Sequence, residues 1–332
     1  MSDLFDLISR LPKAELHLHI EGTLEPAMMM DLAEKHAIDL PYNSVEDIKN
    51  AYNFKDLQSF LDLYYLGANV LRDEDDFYRL MSAYLERCHN EGVVHAEMMF
   101  DPQTHTSRGI DFSVFMAGFL RARRKAAKQW GISSLLIMCF LRHLNQASAF
   151  ETLEAAVAYG DQIHAVGLDS SELGHPPAKF REVFQKAAEL GYERVAHAGE
   201  EGPSAYIWEA LEVLKVTRVD HGVRCLEDPE LIHRLVSAQT PLTVCPLSNI
   251  RLCLYDRMQQ HPILSMLDEG LNVSVNSDDP SYFGGYLMDN FAALEADLGM
   301  NEAQARQLVA NGIRGSFVDT DRREAWLLDV KR

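Results

Sequence analysis

Arg194-Val195-Ala196-His197-Ala198-Gly199-Glu200 runs almost directly into the helical pattern Pro203–Leu214, and this pairing decides the fold. Arg194–Ala198 is short and mostly apolar, as a buried strand is, and Pro203 stands where a first helical turn tolerates proline. Working outward in both directions, the same unit recurs. Strand-like runs fall at Ala14–His19, Val93–Phe100, Ser134–Leu141, Ala165–Ser170, Arg194–Ala198, Arg218–His221, Pro241–Cys245 and Leu271–Asn276, eight in all. Helix-period segments separate them, among them Glu25–Lys35, Phe54–Leu71, Asp73–Asn90, Phe112–Trp130 and Pro177–Leu190. Gly131, Gly160, Gly191 and Gly270 follow helical runs as stops, and Asp228-Pro229 supplies a cap and a first-turn proline. Strands alternating with helices predict one parallel, fully covered sheet. Eight of them predict a closed (β/α)8 TIM-type barrel with extra helices, residues 1–332 forming a single domain. A doubly wound open sheet is the alternative, but no G-x-G-x-x-G follows the first strand.

A chain of 332 residues, 47% hydrophobic and 24% charged, buries a sizeable core without staples, so a bound metal would serve chemistry rather than folding. The 31 basic and 50 acidic residues give a formal charge of −19, which argues against nucleic acid, anionic membranes and strongly anionic substrates. Five widely spaced cysteines without a C-x-x-C are no disulfide framework and suggest a reducing compartment. Met1–Arg10 has the pattern of a short amphipathic helix rather than a secretory signal, and no apolar run reaches membrane-spanning length. The cytoplasm is the expected location.

Polar groups appear where several apolar runs finish. The first strand ends in His17-Leu18-His19, whose two imidazoles point to the same side. With 13 histidines in the chain, chance alone supplies roughly half an H-x-H, so context must carry the motif. The fifth strand adds His197 and then Glu200, the sixth His221, and the eighth Asn276-Ser277-Asp278-Asp279-Pro280. In a barrel these ends converge on one mouth. His17, His19, His197 and Asp278 offer three imidazoles and a carboxylate, a ligand set suited to a catalytic Zn2+ that activates water. Iron and manganese accept similar ligands. Glu200 is then placed to face a substrate, His221 to take a proton from water, and Asp279 to hydrogen-bond a ring nitrogen. His95-Ala96-Glu97 matches the H-x-E of cytidine-deaminase-type zinc sites, but no P-C-x-x-C follows it, so it reads as part of the second strand.

Over nearly its whole length the chain resembles the adenosine/adenine deaminase family of amidohydrolase barrels. The resemblance rests on residues 12–23 (Pro12 to Thr23, with His17 and His19), His197-Ala198-Gly199-Glu200, Asp220-His221-Gly222, Cys245-Pro246-Leu247-Ser248-Asn249 and Asn276 to Pro280. It implies zinc on His17, His19, His197 and Asp278, Glu200 as proton donor to purine N1, His221 as partner of the attacking water, and Asp279 as the contact to N7. It also implies a helical gate at Tyr52–Tyr65, although an aromatic helix face is more often core. Within the family, Asp169-Ser170-Ser171-Glu172 and the proline pair Pro176-Pro177 resemble the adenine branch, with Glu172 where adenosine deaminases carry glycine. Free adenine has an imidazole N–H where adenosine has ribose, and Glu172 is the expected acceptor for it. The alternative for Glu172 is a solvated loop charge. Glu21, where adenosine deaminases carry Asp, is expected to fill the ribose space or face solvent, and His143 to have a supporting or structural role. Hydrolysis of adenine to hypoxanthine and ammonia in purine salvage is the expected activity. An adenosine deaminase, a deaminase of an N6-modified adenine, or a non-catalytic relative are the alternatives.

Overall fold

Strand β1 (Lys13–His19) lies parallel to β2 (Val93–Phe100), and the pattern repeats through β3 (Ser133–Leu141), β4 (Ala165–Asp169), β5 (Glu193–Ala198), β6 (Arg218–His221), β7 (Leu242–Val244) and β8 (Val273–Val275). Each neighbouring pair is parallel. The ring closes just beyond β8. Asp278 N–H donates to the His17 carbonyl at 3.1 Å, and His19 N–H donates to the Asp278 carbonyl at 3.0 Å. Two side chains stitch the same seam, since Asn276 Oδ1 accepts from Leu16 N–H at 2.9 Å and Glu15 Oε1 accepts from Ser277 N–H at 3.1 Å. This computed structural model describes residues 2–332, and in it the chain forms the expected (β/α)8 barrel. Closure of the ring removes the open-sheet alternative.

The strands read as continuous apolar runs because both faces are buried. Met99, Ile137, Cys139, Ala165 and Val195 fill the barrel interior, while their neighbours Met98, Leu136, Met138, Phe140 and Ala196 pack outward against the helices. Further along the interior, away from the mouth, Arg218 Nη1 donates to Glu97 Oε2 at 2.6 Å and His95 Nε2 meets Glu97 Oε1 at 3.0 Å. The H-x-E match of β2 is consumed in this buried network. Against the penalty of burial, the Arg218 guanidinium and His95 hold the Glu97 carboxyl at about 2.

The expected N-terminal helix spans Asp3–Arg10, capped by the Ser2 hydroxyl; Met1 lies outside the described residues. No helix among the described residues is long and apolar enough to cross a membrane. Four helices are inserted between β1 and β2. One of them, Leu57–Ala68, starts at an Asp56–Ser59 capping box and lies over the C-terminal ends of the strands.

Candidate active site

β1 sends His17 and His19 inward from alternate positions, and the turn after β8 brings Asp278 back against them. His17 Nε2 lies 3.4 Å and His19 Nε2 3.6 Å from Asp278 Oδ1, and His19 Nε2 lies 3.1 Å from His197 Nε2. Four ligands held at 2.0–2.1 Å around a tetrahedral metal sit about 3.3–3.4 Å apart. These three spacings fit a shared metal, and His17 Nε2 is buried with no hydrogen-bond partner of its own. Ligand atoms of His17, His197, His221 and Asp278 all lie within 4.8 Å of one another, so His221 also stands at this centre. The opposite ring nitrogens are steered from behind. His17 Nδ1 lies 3.0 Å from Thr243 Oγ1, which itself donates to Asp220 Oδ1 at 2.8 Å. His197 Nδ1 lies 3.7 Å from Asp220 Oδ2, and His19 Nδ1 3.5 Å from Asp169 Oδ2. Ser248, from the Cys245 to Asn249 motif, donates to Asp278 Oδ2 at 2.7 Å. The hydrogen bonds from Thr243 and Ser248 are of the kind that fix ring orientation and ligand basicity.

Two of the groups at the mouth are held in unusual backbone conformations. Asp278 (φ 63°) and His221 (φ 62°) occupy the left-handed region, a strain of about 1–3 kcal/mol each for a residue with a side chain. His221 is the last ladder position of β6, paired with Ala198, and Asp278 bridges to Leu18 three residues beyond β8; the turn at each aims its side chain across the mouth. His221 Nε2 stands 3.6 Å from Glu200 Oε2 and 3.8 Å from Asp278 Oδ2. Burial, reinforced by the nearby His17, lowers the His221 imidazole to about 3, so the ring is neutral and able to accept a proton. Glu200 is buried with Oε1 unpartnered, and burial followed by the charges of Asp278 and Glu172 pushes its carboxyl well above the ordinary range. Asp279 is raised in the same way, by burial and then by Asp278, and its Oδ1 is also free. Gly22 lies so close to Asp279 that a Cβ there would collide with it.

Glu172 does something other than the sequence suggested. It is 1% exposed, so it is no solvated loop charge, and it is absent from the cavity lining. Its carboxylate accepts four backbone N–H groups of the turn after β5: Gly199 at 2.7 Å, Glu200 at 3.1 Å, Glu201 at 2.8 Å and Gly202 at 2.7 Å. Buried behind that turn and outside the cavity lining, Glu172 does not reach a purine N–H. It holds the backbone that carries Glu200. Gly199 (φ 70°) suits this turn twice over, since a Cβ there would also strike Ile207.

The cavity encloses about 380 Å3 of space, open solvent at its mouth included. Its apolar wall comes from Leu57, Phe60, Leu61, Tyr64, Leu252 and Phe283, so the Tyr52–Tyr65 stretch supplies core packing and a roof together. Its polar wall includes His19, His197, Glu200, His221, Asp278 and Asp279, with His17 buried behind them. Three polar lining residues were not singled out from sequence as site residues: Asp101, Asp169 and Ser170. Asp101 follows Phe100 and precedes Pro102 at the end of β2, which is the same apolar-to-polar signal that marks β8. Burial and Glu21 raise the Asp101 carboxyl, and burial and Asp101 raise that of Asp169. Ser170 Oγ is bonded to Tyr65 Oη at 2.9 Å and to His143 Nδ1 at 2.8 Å. Glu21 does not face solvent. It is buried, accepting from His105 Nε2 at 2.7 Å and from Asp101 N–H at 3.2 Å.

Comparison with known proteins places this arrangement. A family model described as adenosine deaminase matches residues 12–332. An adenine deaminase of Acinetobacter baylyi is 56% identical over 98% of both chains, and one of Hahella chejuensis is 55% identical over 95% of both. Among solved structures, an adenine deaminase from Arthrobacter aurescens is 51% identical, with a TM-score of 0.95 over 97% of this chain and 98% of that one. An amidohydrolase from Burkhoderia ambifaria, solved with bound Zn, is 27% identical, with a TM-score of 0.90 over 100% of this chain and 93% of that one.

Proposed function

This chain belongs to the adenosine deaminase family, and we propose that within it the protein hydrolyses free adenine to hypoxanthine and ammonia, serving purine salvage. One observation carries the assignment of roles: a buried carboxyl, Glu200, with one free oxygen, stands 3.6 Å from a neutral histidine, His221, beside converging imidazoles.

The family is metal-dependent, and we assign the metal as Zn2+, held by His17, His19, His197 and Asp278. Three nitrogens and one carboxylate suit that ion, which would lower the pKa of water towards neutrality. The chain's own groups do the rest. Glu200, protonated by virtue of its burial, gives its proton to N1, which makes C6 electrophilic. His221 takes one proton from water as the oxygen bonds to C6, and hands it to the amino nitrogen, which leaves as ammonia. The second proton of the water returns to Glu200 as C6 becomes a carbonyl, so that N1 keeps the proton it received. Asp279 holds N7, and the Leu57–Ala68 roof excludes solvent from the ring and acts as a gate. Residues 1–332 act as one deaminase domain on a small neutral purine, with no nucleic-acid or membrane partner. Five free cysteines suit a cytoplasmic location.

The test is direct. Purified protein loaded with Zn2+ is given adenine or adenosine, and hypoxanthine, inosine and ammonia are measured. Adenine should be turned over with the higher kcat/KM; adenosine as the better substrate would refute the assignment.

A further inference from the structure

With Glu172 withdrawn from the substrate, the geometry points to Asp101 as the group that accepts the imidazole N–H of adenine and so selects the free base over 9-substituted purines. This inference rests on the adenine deaminase reading above.

Asp101 lines the cavity and is 2% exposed. Two contacts fix it: Tyr64 Oη donates to Oδ2 at 3.0 Å, and its own N–H donates to Glu21 Oε1 at 3.2 Å, Glu21 being held in turn by His105. Oδ1 is buried and has no hydrogen-bond partner. A buried carboxylate oxygen without a donor is costly unless a ligand supplies one.

The donor inventory of adenine identifies that ligand group. Beyond the amino group that leaves, neutral adenine has one N–H, on the imidazole ring, and three ring acceptors. N1 goes to Glu200 and N7 to Asp279, which leaves the N9–H. Five carboxylates line the cavity: Asp101, Asp169, Glu200, Asp278 and Asp279. Asp278 faces the imidazole cluster. Asp169 also has a buried, unpartnered oxygen, Oδ1, but its Oδ2 stands 3.5 Å from His19 Nδ1, whereas Asp101 is anchored by Tyr64 rather than by a histidine, and Asp101 is therefore taken as the acceptor. Its position suits the ring. Asp101 and Asp279, like Asp169, each bring a carboxylate oxygen within 4.8 Å of a His19 nitrogen, whereas Glu200 sits over at His221. N7 and N9 belong to the same five-membered ring, so their partners should share one side of the cavity, as these do. A nucleoside offers no N–H at N9, leaves Oδ1 unpaired, and must fit a sugar against Asp101, Tyr64 and Glu21. Sites that hydrogen-bond a substrate N–H reject analogues lacking it far more strongly than apolar pockets do.

The experiment compares Zn2+-loaded wild type, Asp101→Ala and Tyr64→Phe on adenine and on 9-methyladenine. Asp101→Ala should lower kcat/KM for adenine about 10- to 100-fold, the span of one charge-assisted hydrogen bond. Its rate on 9-methyladenine should hold or rise, so that the ratio of the two collapses. Tyr64→Phe, which frees Oδ2 without emptying the site, should shift the ratio the same way by about threefold to tenfold. Hypoxanthine binding, measured by calorimetry against 9-methylhypoxanthine, should lose the same preference in both variants. An unchanged ratio in a metal-replete Asp101→Ala overturns the inference. If that variant does not fold, an unchanged ratio in Tyr64→Phe does so. Wild type that fails to deaminate adenine overturns the underlying functional reading instead, and that result needs no variant.

Discussion

Replacing Glu172 with glutamine separates a residue that holds the backbone from one that touches substrate. In the native turn, Oε1 accepts from Gly199 N–H at 2.7 Å, while Oε2 takes Glu200, Glu201 and Gly202. The amide can keep its single oxygen on the three donors, but its NH2 group must then face the Gly199 N–H. One charge-assisted hydrogen bond is lost, worth about 1.5–3 kcal/mol, and a buried donor is left facing a donor, costing about 1–3 kcal/mol more. Relaxation of the turn recovers part of this, so about 3 kcal/mol is the expected loss. At roughly 2 cal/mol/K per residue, the entropy of unfolding for a chain of this length is about 0.7 kcal/mol/K, so Tm should fall by about 4 °C. Loosening residues 199–202 also moves Glu200, so kcat should fall about tenfold or more while the ratio of adenine to 9-methyladenine turnover stays put. Calorimetry of the Zn2+-loaded protein and steady-state kinetics with both bases measure these quantities. A variant with unchanged Tm and altered selectivity would refute the reasoning, because it would put the Glu172 carboxylate on the purine.

Glu200→Gln should retain its metal, by elemental analysis, yet lose about 10²- to 10⁴-fold in kcat; near-native turnover would remove Glu200 from proton transfer. Because the Glu200 carboxyl is raised and acts as a donor, wild-type kcat/KM should fall as pH rises through its pKa, a limb that the glutamine variant should lack. Ser248→Ala removes the hydroxyl that donates to Asp278 Oδ2 and should weaken metal affinity about 10- to 100-fold in a chelator competition. Burial lifts the Glu21 carboxyl from 4.5 to about 7, so between those values the folded state holds more protons than the unfolded one. The stability it contributes is complete below pH 4.5 and is lost as pH rises towards 7. Denaturant unfolding across that window should show a flatter pH profile for Glu21→Gln than for wild type, and identical profiles would contradict a raised Glu21.

Much of this was legible along the chain because a parallel barrel imposes a simple rule. Every strand delivers its C-terminal end to one mouth, so a polar residue directly after an apolar run is already placed. That rule brings together His17, His19, His197, His221, Asp278 and Asp279, and it reaches Glu200 because Gly199 announces its own left-handed turn. It applies equally to Asp101, which stands immediately after Phe100 but carries no motif to draw attention to it.

The order of the eight strands, the polar residues gathered at the mouth and the reaction class were therefore determined by sequence: periodicity and residue chemistry are local properties, and the barrel converts them into position. Which acidic group meets the purine was decided only in three dimensions. Ser170, with φ at 75°, turns the chain left-handed just after β4, at a residue type that gives no warning of it. Beyond that point the alternation of side chains can no longer be counted. Glu172 is swung onto the four amides of the β5 turn, while Asp101, on an unbroken strand end eighty residues from Glu21 in sequence, faces the cavity. A side chain past an unsignalled turn takes its direction from the donors it meets there, and those donors belong to another strand.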